Sequence, residues 1–241
     1  MPTSQLDHRS DADSKAAYVR NMFASIARRY DLLNSILSLN RDKAWRRATV
    51  KAVNLPVESK VLDVCTGTGD LAFDFKRTVG GSGVVIGADF CEPMVQLGRL
   101  KSGVNSKIPF LLADALQLPF LSDTFDCVSV AFGIRNVSDV DAAFAEMARV
   151  AKPGGIVACL EFSRPRNVLV RWLVTWYQMK VLPVVGGLLS RREAYTYLPT
   201  SITRFHSREE LVNSMARAGL SEIKIMNMHF DSVCLHLGVK R

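Results

Sequence analysis

The hydrophobic positions fall into two rhythms along the chain. Up to about residue 55 they recur at helical spacing. Tyr18, Met22 and Ile26 stand four apart beside Val19 and Phe23, which predicts a helix over 15–29. A second helix is expected over 42–53, with Asp42 as its cap. From Lys60 onward, short apolar runs alternate with amphipathic stretches. The runs 60–64, 84–89, 108–114, 125–132 and 156–162 read as strands, with helices expected over 70–79, 93–101 and 138–151, the last capped by Ser138. Turns are expected at CTGTG (65–69), GGSG (80–83) and KPGG (152–155). An apolar helical stretch at 167–182, a helix at 207–218 and strands at 222–230 and 232–239 complete the pattern.

Apolar strands alternating with helices imply a parallel sheet covered on both faces. The last two strands are separated only by about Asp231-Ser232. A parallel crossover needs far more chain, so this pair must be antiparallel. The fold class is therefore α/β: one doubly wound Rossmann-like domain over 1–241, its seven-stranded sheet mostly parallel with one antiparallel strand near the carboxyl terminus. Residues 1–14 read as a flexible tail, and 15–55 as helices capping the substrate site.

Composition narrows the function more than the fold. With 48% hydrophobic and 22% charged residues the chain is an ordinary globular one. Its five cysteines (Cys65, Cys91, Cys127, Cys159, Cys234) form no CxxC pair and read as buried, reduced side chains. The four histidines lack ligand spacing, and no metal is expected. A net charge of +8 suits an anionic partner, yet the basic residues are scattered and no nucleic-acid motif accompanies them. No nucleic-acid partner is expected. The amino terminus lacks the apolar core of a signal peptide. The longest apolar region, 168–189, is interrupted by Arg171, Lys180 and Pro183, short of the roughly 18 apolar residues of a spanning helix. These features predict a protein of a reducing compartment such as the cytoplasm, soluble or lying on a membrane but not crossing one.

In an open α/β sheet, ligands bind beyond the carboxyl ends of the strands, near the first. That loop here is Asp63-Val64-Cys65-Thr66-Gly67-Thr68-Gly69-Asp70. Its glycines let backbone lie against a ligand, and the helix start offers free N–H groups. Read alone, Gly67 to Ala72 also fits the dinucleotide pattern G-x-G-x-x-G/A. Asp89 ends the second strand, where a carboxylate can accept both hydrogen bonds of a ribose diol or simply cap a strand end; Phe90 follows it. Asp114 and Ala115 close the third strand, where a carboxylate and a backbone N–H can read an adenine edge. Asp63, Gly67, Thr68, Gly69, Asp89, Phe90, Asp114 and Ala115 are the candidate cofactor contacts.

This order of glycine loop, strand-two acid, strand-three acid, FDCV strand and KPGG turn resembles the class I S-adenosylmethionine-dependent methyltransferases. One departure is Cys65, which stands where many of them carry the first glycine. Tyr30-Asp31-Leu32-Leu33-Asn34, Trp45-Arg46, Ala131-Phe132-Gly133-Ile134-Arg135-Asn136-Val137, Tyr195 to Ile202 and His236-Leu237-Gly238 resemble segments of the ubiquinone/menaquinone biosynthesis C-methyltransferase family. The likeness covers about residues 20–241. It implies S-adenosyl-L-methionine as cofactor and a prenylated, lipophilic quinol as acceptor, with demethylmenaquinol favoured over a polyprenyl benzoquinol or another small lipophilic or natural-product acceptor. It also implies a cytoplasmic enzyme peripherally associated with the inner face of the membrane, with a homodimer or a quinone-biosynthesis complex as open partners. Arg135 and Asn136 are the expected catalytic residues. Arginine stays protonated, so Arg135 is assigned to stabilising the quinolate and orienting a water rather than to taking the proton. A structural arginine bonding loop carbonyls is the alternative, and Glu161 is a weaker candidate base. Two readings from other classes remain. A nicotinamide oxidoreductase of the short-chain type would need a Tyr-x-x-x-Lys pair, but Val181 stands four residues after Tyr177. A non-enzymatic scaffold for quinone enzymes is the other.

Overall fold

The computed structural model describes residues 4–181, 197, 200–203 and 205–241. Seven strands form one sheet: β1 (Lys60–Val64), β2 (Val84–Asp89), β3 (Phe110–Leu112), β4 (Phe125–Ala131), β5 (Ala151–Phe162), β6 (Leu220–Met228) and β7 (Val233–Lys240). Their order is β3-β2-β1-β4-β5-β7-β6. All neighbours run parallel except β7, which is antiparallel to both β5 and β6. The chain steps outward from β1 to β3, then crosses back to place β4 on the other side of β1. Loops leaving β1 and β4 therefore diverge, and a crevice opens above their carboxyl ends.

Helices α1 (Ser4–Ile26), α2 (Tyr30–Leu37) and α3 (Arg41–Val53) precede the sheet. The others are α4 (Asp70–Val79), α5 (Glu92–Ser106), α6 (Val140–Val150), α7 (Val168–Trp176) and α8 (Arg208–Arg217). Side chains alternate across β1, as strand geometry requires. Leu62 packs with Val128, Phe144 and Met147 on one face, while Val61 packs with Phe75, Val79 and Trp45 on the other. Both layers are closed by helices, so the sheet is covered on both faces.

The expected strands and most helices stand where hydrophobic spacing puts them, and their ends shift for local reasons. Backbone helix begins at Ser4, within the segment that the sequence reads as a tail. α2 is a short helix that the spacing does not reveal. α3 is entered through Asn40 in the left-handed region; Asp42 does not cap it but accepts from the Ser38 hydroxyl at 2.7 Å and pairs with Arg46. Asp139, not Ser138, caps α6, accepting from the Ala142 N–H. KPGG is an irregular start to β5 rather than a turn before it, because the strand bulges opposite Phe125–Cys127. The third strand is only Phe110–Leu112. The apolar stretch at 167–182 ends as α7 plus a single π turn, Tyr177–Val181, and Leu182 lies outside the described residues. The helix expected at 207–218 is α8, which starts with a capping box of Ser207 and Glu210. Among the described residues no helix is long and apolar enough to cross a membrane.

Candidate active site

Two adjoining cavities occupy the crevice. The first, about 750 Å³, lies over β1, β2 and the loop after β3, and its walls include Gly67, Asp89, Phe90, Asp114 and Ala115. Asp89 is buried and immobilised: Oδ2 accepts the Gly67 N–H at 2.8 Å and Oδ1 the Cys91 N–H at 2.9 Å. Burial pushes its carboxyl up to about 6, against the pull of those backbone N–H groups. Gly69, at φ +92°, ends the loop where any Cβ would collide with the Phe110 ring, so glycine is required there. Asp114 turns back to accept the Leu116 N–H at 2.9 Å, which folds the rim at that end.

The second cavity, about 1830 Å³, lies beyond β4 and β5 under α1, α2 and α7. Its walls are apolar through Ile26, Leu33, Trp45, Phe162 and Leu173, with Arg135, Tyr197 and His229 among the polar groups. Phe23, Tyr30, Cys65, Ala131 and Phe132 line both cavities, so a group held in one meets a group held in the other at this junction. Two non-glycine residues here have left-handed backbone: Cys65 at φ +52° and Phe132 at φ +57°. Such conformers cost on the order of 1–2 kcal/mol each. The departure noted at Cys65 thus sits where glycine costs least. Gly133 makes room for it, since a Cβ there would strike the Cys65 Cβ.

Arg135 lies in the 3-10 turn Ile134–Asn136 immediately after β4. Its Nη1 donates to the Phe132 carbonyl and to Glu161 Oε1, both at 2.6 Å, and its Cζ lies 5.3 Å from the Phe162 ring centre. Arg135 thus bonds the loop carbonyl of the structural reading and also lines the second cavity. Glu161, at the end of β5, is 1% exposed and lines neither cavity. Burial raises its carboxyl, and Arg135 opposes that rise. The neighbouring Asn136 lines the first cavity and accepts from the Tyr197 hydroxyl at 3.2 Å. Tyr197 itself belongs to the second cavity, so this bond spans the two.

The remaining sequence-predicted residues divide by role. Gly67, Asp89, Phe90, Asp114 and Ala115 meet in the first cavity. Asp63 and Thr68 instead line the second. Asp63 is buried, accepts from Thr66 Oγ1 at 2.6 Å and Ser129 Oγ at 2.8 Å, and is pushed up to about 6 by desolvation. Thr68 donates to Asp31 of α2 and accepts from Lys101 Nζ at 2.8 Å. Lys101 also pairs with Asp31 and with Asp70, and Arg46 joins Asp70 to Asp42. This chain of charges fastens α2 and α3 onto the glycine loop. The contacts missed by sequence reading are the junction residues Tyr30, Cys65 and Phe132. Tyr30 and Phe132 stand inside segments that reading singles out, but neither spacing nor composition says that they face both cavities. Four of the cysteines are buried and Cys65 is half-buried, all as free thiols.

The chain matches the model of the ubiE/COQ5 methyltransferase family over residues 11–240. It is 43% identical over 229 residues to the ubiquinone/menaquinone biosynthesis C-methyltransferase UbiE of Geobacter sulfurreducens, covering 94% of this chain and 90% of that protein. The protein of the same name from Saccharophagus degradans is 41% identical over 234 residues, covering 95% and 94%. Among solved structures, a SAM-dependent methyltransferase from Thermotoga maritima superposes with TM-score 0.65 at 20% identity, covering 92% of this chain and 99% of that one. One from Aquifex aeolicus gives 0.61 at 20%, covering 81% and 89%. These two similarities concern the fold alone. The family match and the relatives span nearly the whole chain, two-cavity crevice included, and the chain belongs to the ubiE/COQ5 methyltransferase family and is a methyltransferase.

Proposed function

We propose that the enzyme transfers a methyl group from S-adenosyl-L-methionine to a ring carbon of a prenylated quinol, demethylmenaquinol before a polyprenyl benzoquinol. The observation that carries this reading is the pair of cavities meeting at Tyr30, Cys65 and Phe132: a smaller one rimmed by Asp89 and Asp114, and a larger one with Arg135 in its wall beside Ile26, Leu33, Trp45, Phe162 and Leu173. The first suits the cofactor: Asp89 for the ribose, Asp114 and Ala115 for the adenine, Gly67 for backbone contact. Bound there, the cofactor supplies an electrophilic methyl group. The second has room for a ring and the start of an isoprenoid tail. Positioning the two reactants at one junction supplies much of the acceleration.

Relatives named for both ubiquinone and menaquinone biosynthesis support the quinol class. A hydroquinone carbon becomes nucleophilic when the adjacent hydroxyl ionises. Arg135 stands in the wall of the acceptor cavity to stabilise that oxygen, whose proton is lost to solvent. The ring carbon takes the methyl as the donor's S–CH3 bond breaks, and its C–H proton then moves through solvent to the ring oxygen, restoring the aromatic quinol. Asn136, oriented by Tyr197, is placed to hold the reactants in register across the two cavities.

The acceptor's tail implies a peripheral membrane location. α7 buries none of its residues; Trp172 is 61% and Trp176 50% exposed. From the same segment Leu173, Val174 and Tyr177 line the acceptor cavity, which makes the apolar surface continuous with the cavity wall. Arg171 and Lys180 flank it, and the +8 net charge favours an anionic leaflet. Such aromatic side chains prefer the interface between lipid and water.

One experiment addresses both points. Reduced naphthoquinols and benzoquinols with long tails are presented in phosphatidylglycerol vesicles with the methyl donor, and products are read by mass spectrometry. The expected result is one added ring methyl, naphthoquinol preferred, with the enzyme cosedimenting with vesicles and the Trp172→Ala, Trp176→Ala double variant staying in solution. No methylated quinol overturns the reaction; equal cosedimentation of the double variant overturns the docking face.

Donor binding depends on Asp89. Asp89→Ala raises the donor Kd by about ten- to a hundredfold, since two hydrogen bonds to a charged group are lost at roughly 1.5–3 kcal/mol each and water restores part. The ribose hydroxyls donate, so they need the ionised carboxylate. With its carboxyl at about 6, donor affinity holds at neutral pH and weakens as pH falls through 6. Calorimetric titration across pH checks both. An unchanged Kd in folded Asp89→Ala removes Asp89 from the cofactor site.

A further inference from the structure

Arg135 is held by one corner. Nη1 takes both of its side-chain hydrogen bonds, to the Phe132 carbonyl and to Glu161 Oε1, while the Arg135 backbone N–H reaches Glu161 Oε2 at 3.5 Å. Nε is buried without a partner. Among the described residues Nη2 takes none either. The Nε–Nη2 edge carries two parallel N–H groups, the fork that suits an anionic oxygen. It belongs to a side chain that is 7% exposed and lines the acceptor cavity. Unpaired buried donors are rare because they are costly, and an oxygen docking on that edge removes the cost.

Glu161 is equally committed. Oε1 accepts from Arg135 Nη1 and from the Phe162 N–H at 2.8 Å, Oε2 faces the Arg135 backbone N–H, and the residue touches neither cavity. A carboxylate so occupied and so placed has no path to an acceptor proton. It does determine where the guanidinium points.

We propose that Glu161 is a positioning residue, which clamps the Nη1 corner of Arg135 so that the Nε–Nη2 edge meets the ionising oxygen of the acceptor. This rests on the quinol reading above. The clamp also sets the charge of the site. The ion pair is close to neutral at rest, so Arg135 stabilises a quinolate without holding a stray anion in the empty cavity. Facing Glu161 are Arg135 from the turn after β4, Cys65 after β1, Cys159 on β5, Cys234 opposite it on β7, and Tyr197. Arg135 is the one cation among them.

The test is single-turnover methylation of a reduced short-tailed naphthoquinol across pH, with donor affinity alongside. Glu161→Gln removes the compensating charge, so the acceptor ionises more easily. The ascending limb of the kcat profile should move toward acid by about one pH unit, as expected for one charge lost at close range. Glu161→Asp keeps the charge but draws the carboxylate back. Its limb should stay in place while kcat falls about tenfold. Donor Kd should be unchanged in both. An unmoved or alkaline-shifted limb in Glu161→Gln overturns the proposal, as does near-normal kcat in Glu161→Asp. The second arm alone decides if Glu161→Gln does not fold. Wild-type enzyme that methylates no quinol at any pH refutes the quinol reading instead, and the two failures are distinct.

Discussion

Replacing Arg135 with alanine should lower kcat by about a hundred- to a thousandfold and leave donor affinity almost intact. The effect follows from position. Arg135 stands on the turn after β4 in the wall of the second cavity, whereas Asp89, Asp114 and Gly67 rim the first. Losing one preorganised donor opposite a developing oxyanion typically costs about 2.7–4 kcal/mol in the transition state. Arg135→Lys restores a charge but not the planar fork, and it cannot bond Phe132 and Glu161 while presenting a second edge, so rescue should be partial. Removing the arginine also leaves Glu161 as an uncompensated buried carboxylate, which is destabilising. The measurement therefore pairs single-turnover rates with a melting curve for each variant. Near-normal turnover in Arg135→Ala, or loss of donor binding in a folded protein, would reduce Arg135 to the loop-tying role that its bond to the Phe132 carbonyl also supports.

The oxidised acceptor should not turn over at all. A quinone has no hydroxyl to ionise and its ring is electron-poor, so no residue in the second cavity can generate a carbon nucleophile from it. Assays with quinone and methyl donor should remain silent until dithionite is added, then proceed at the quinol rate. The walls supply no internal reductant: the cysteines are separate thiols, and Cys65, which faces the junction, is held well above the usual thiol range by burial and by Asp89, Asp63 and other carboxylates. Equal rates with and without reductant would overturn the proposed chemistry, Arg135 included.

Much of this molecule is legible in its sequence because the relevant physics is local. Strand positions follow from apolar runs whose side chains must be buried on both faces, and the antiparallel β7 follows from a link too short for any crossover. The glycine loop, Asp89 and Asp114 are legible for a similar reason. Each ends a strand at the edge of the crevice, and a parallel sheet brings all such ends to one side. What neither spacing nor composition specifies is which cavity each residue faces. Thr68 belongs to the same loop as Gly67, yet its hydroxyl turns to Asp31 and Lys101, because the helices before the sheet fold back over that loop. Tyr30 and Phe132 become junction residues only when α2 and the end of β4, a hundred residues apart in the chain, are brought together. The Arg135–Glu161 clamp exists because β4 and β5 are neighbours in register, with Ala131 opposite Leu160. Local rules thus determine the strands, the order of elements and the residues available for chemistry. Packing of distant segments alone decides which of those residues share a cavity, which bond they spend on one another, and which donor of Arg135 is left unpaired.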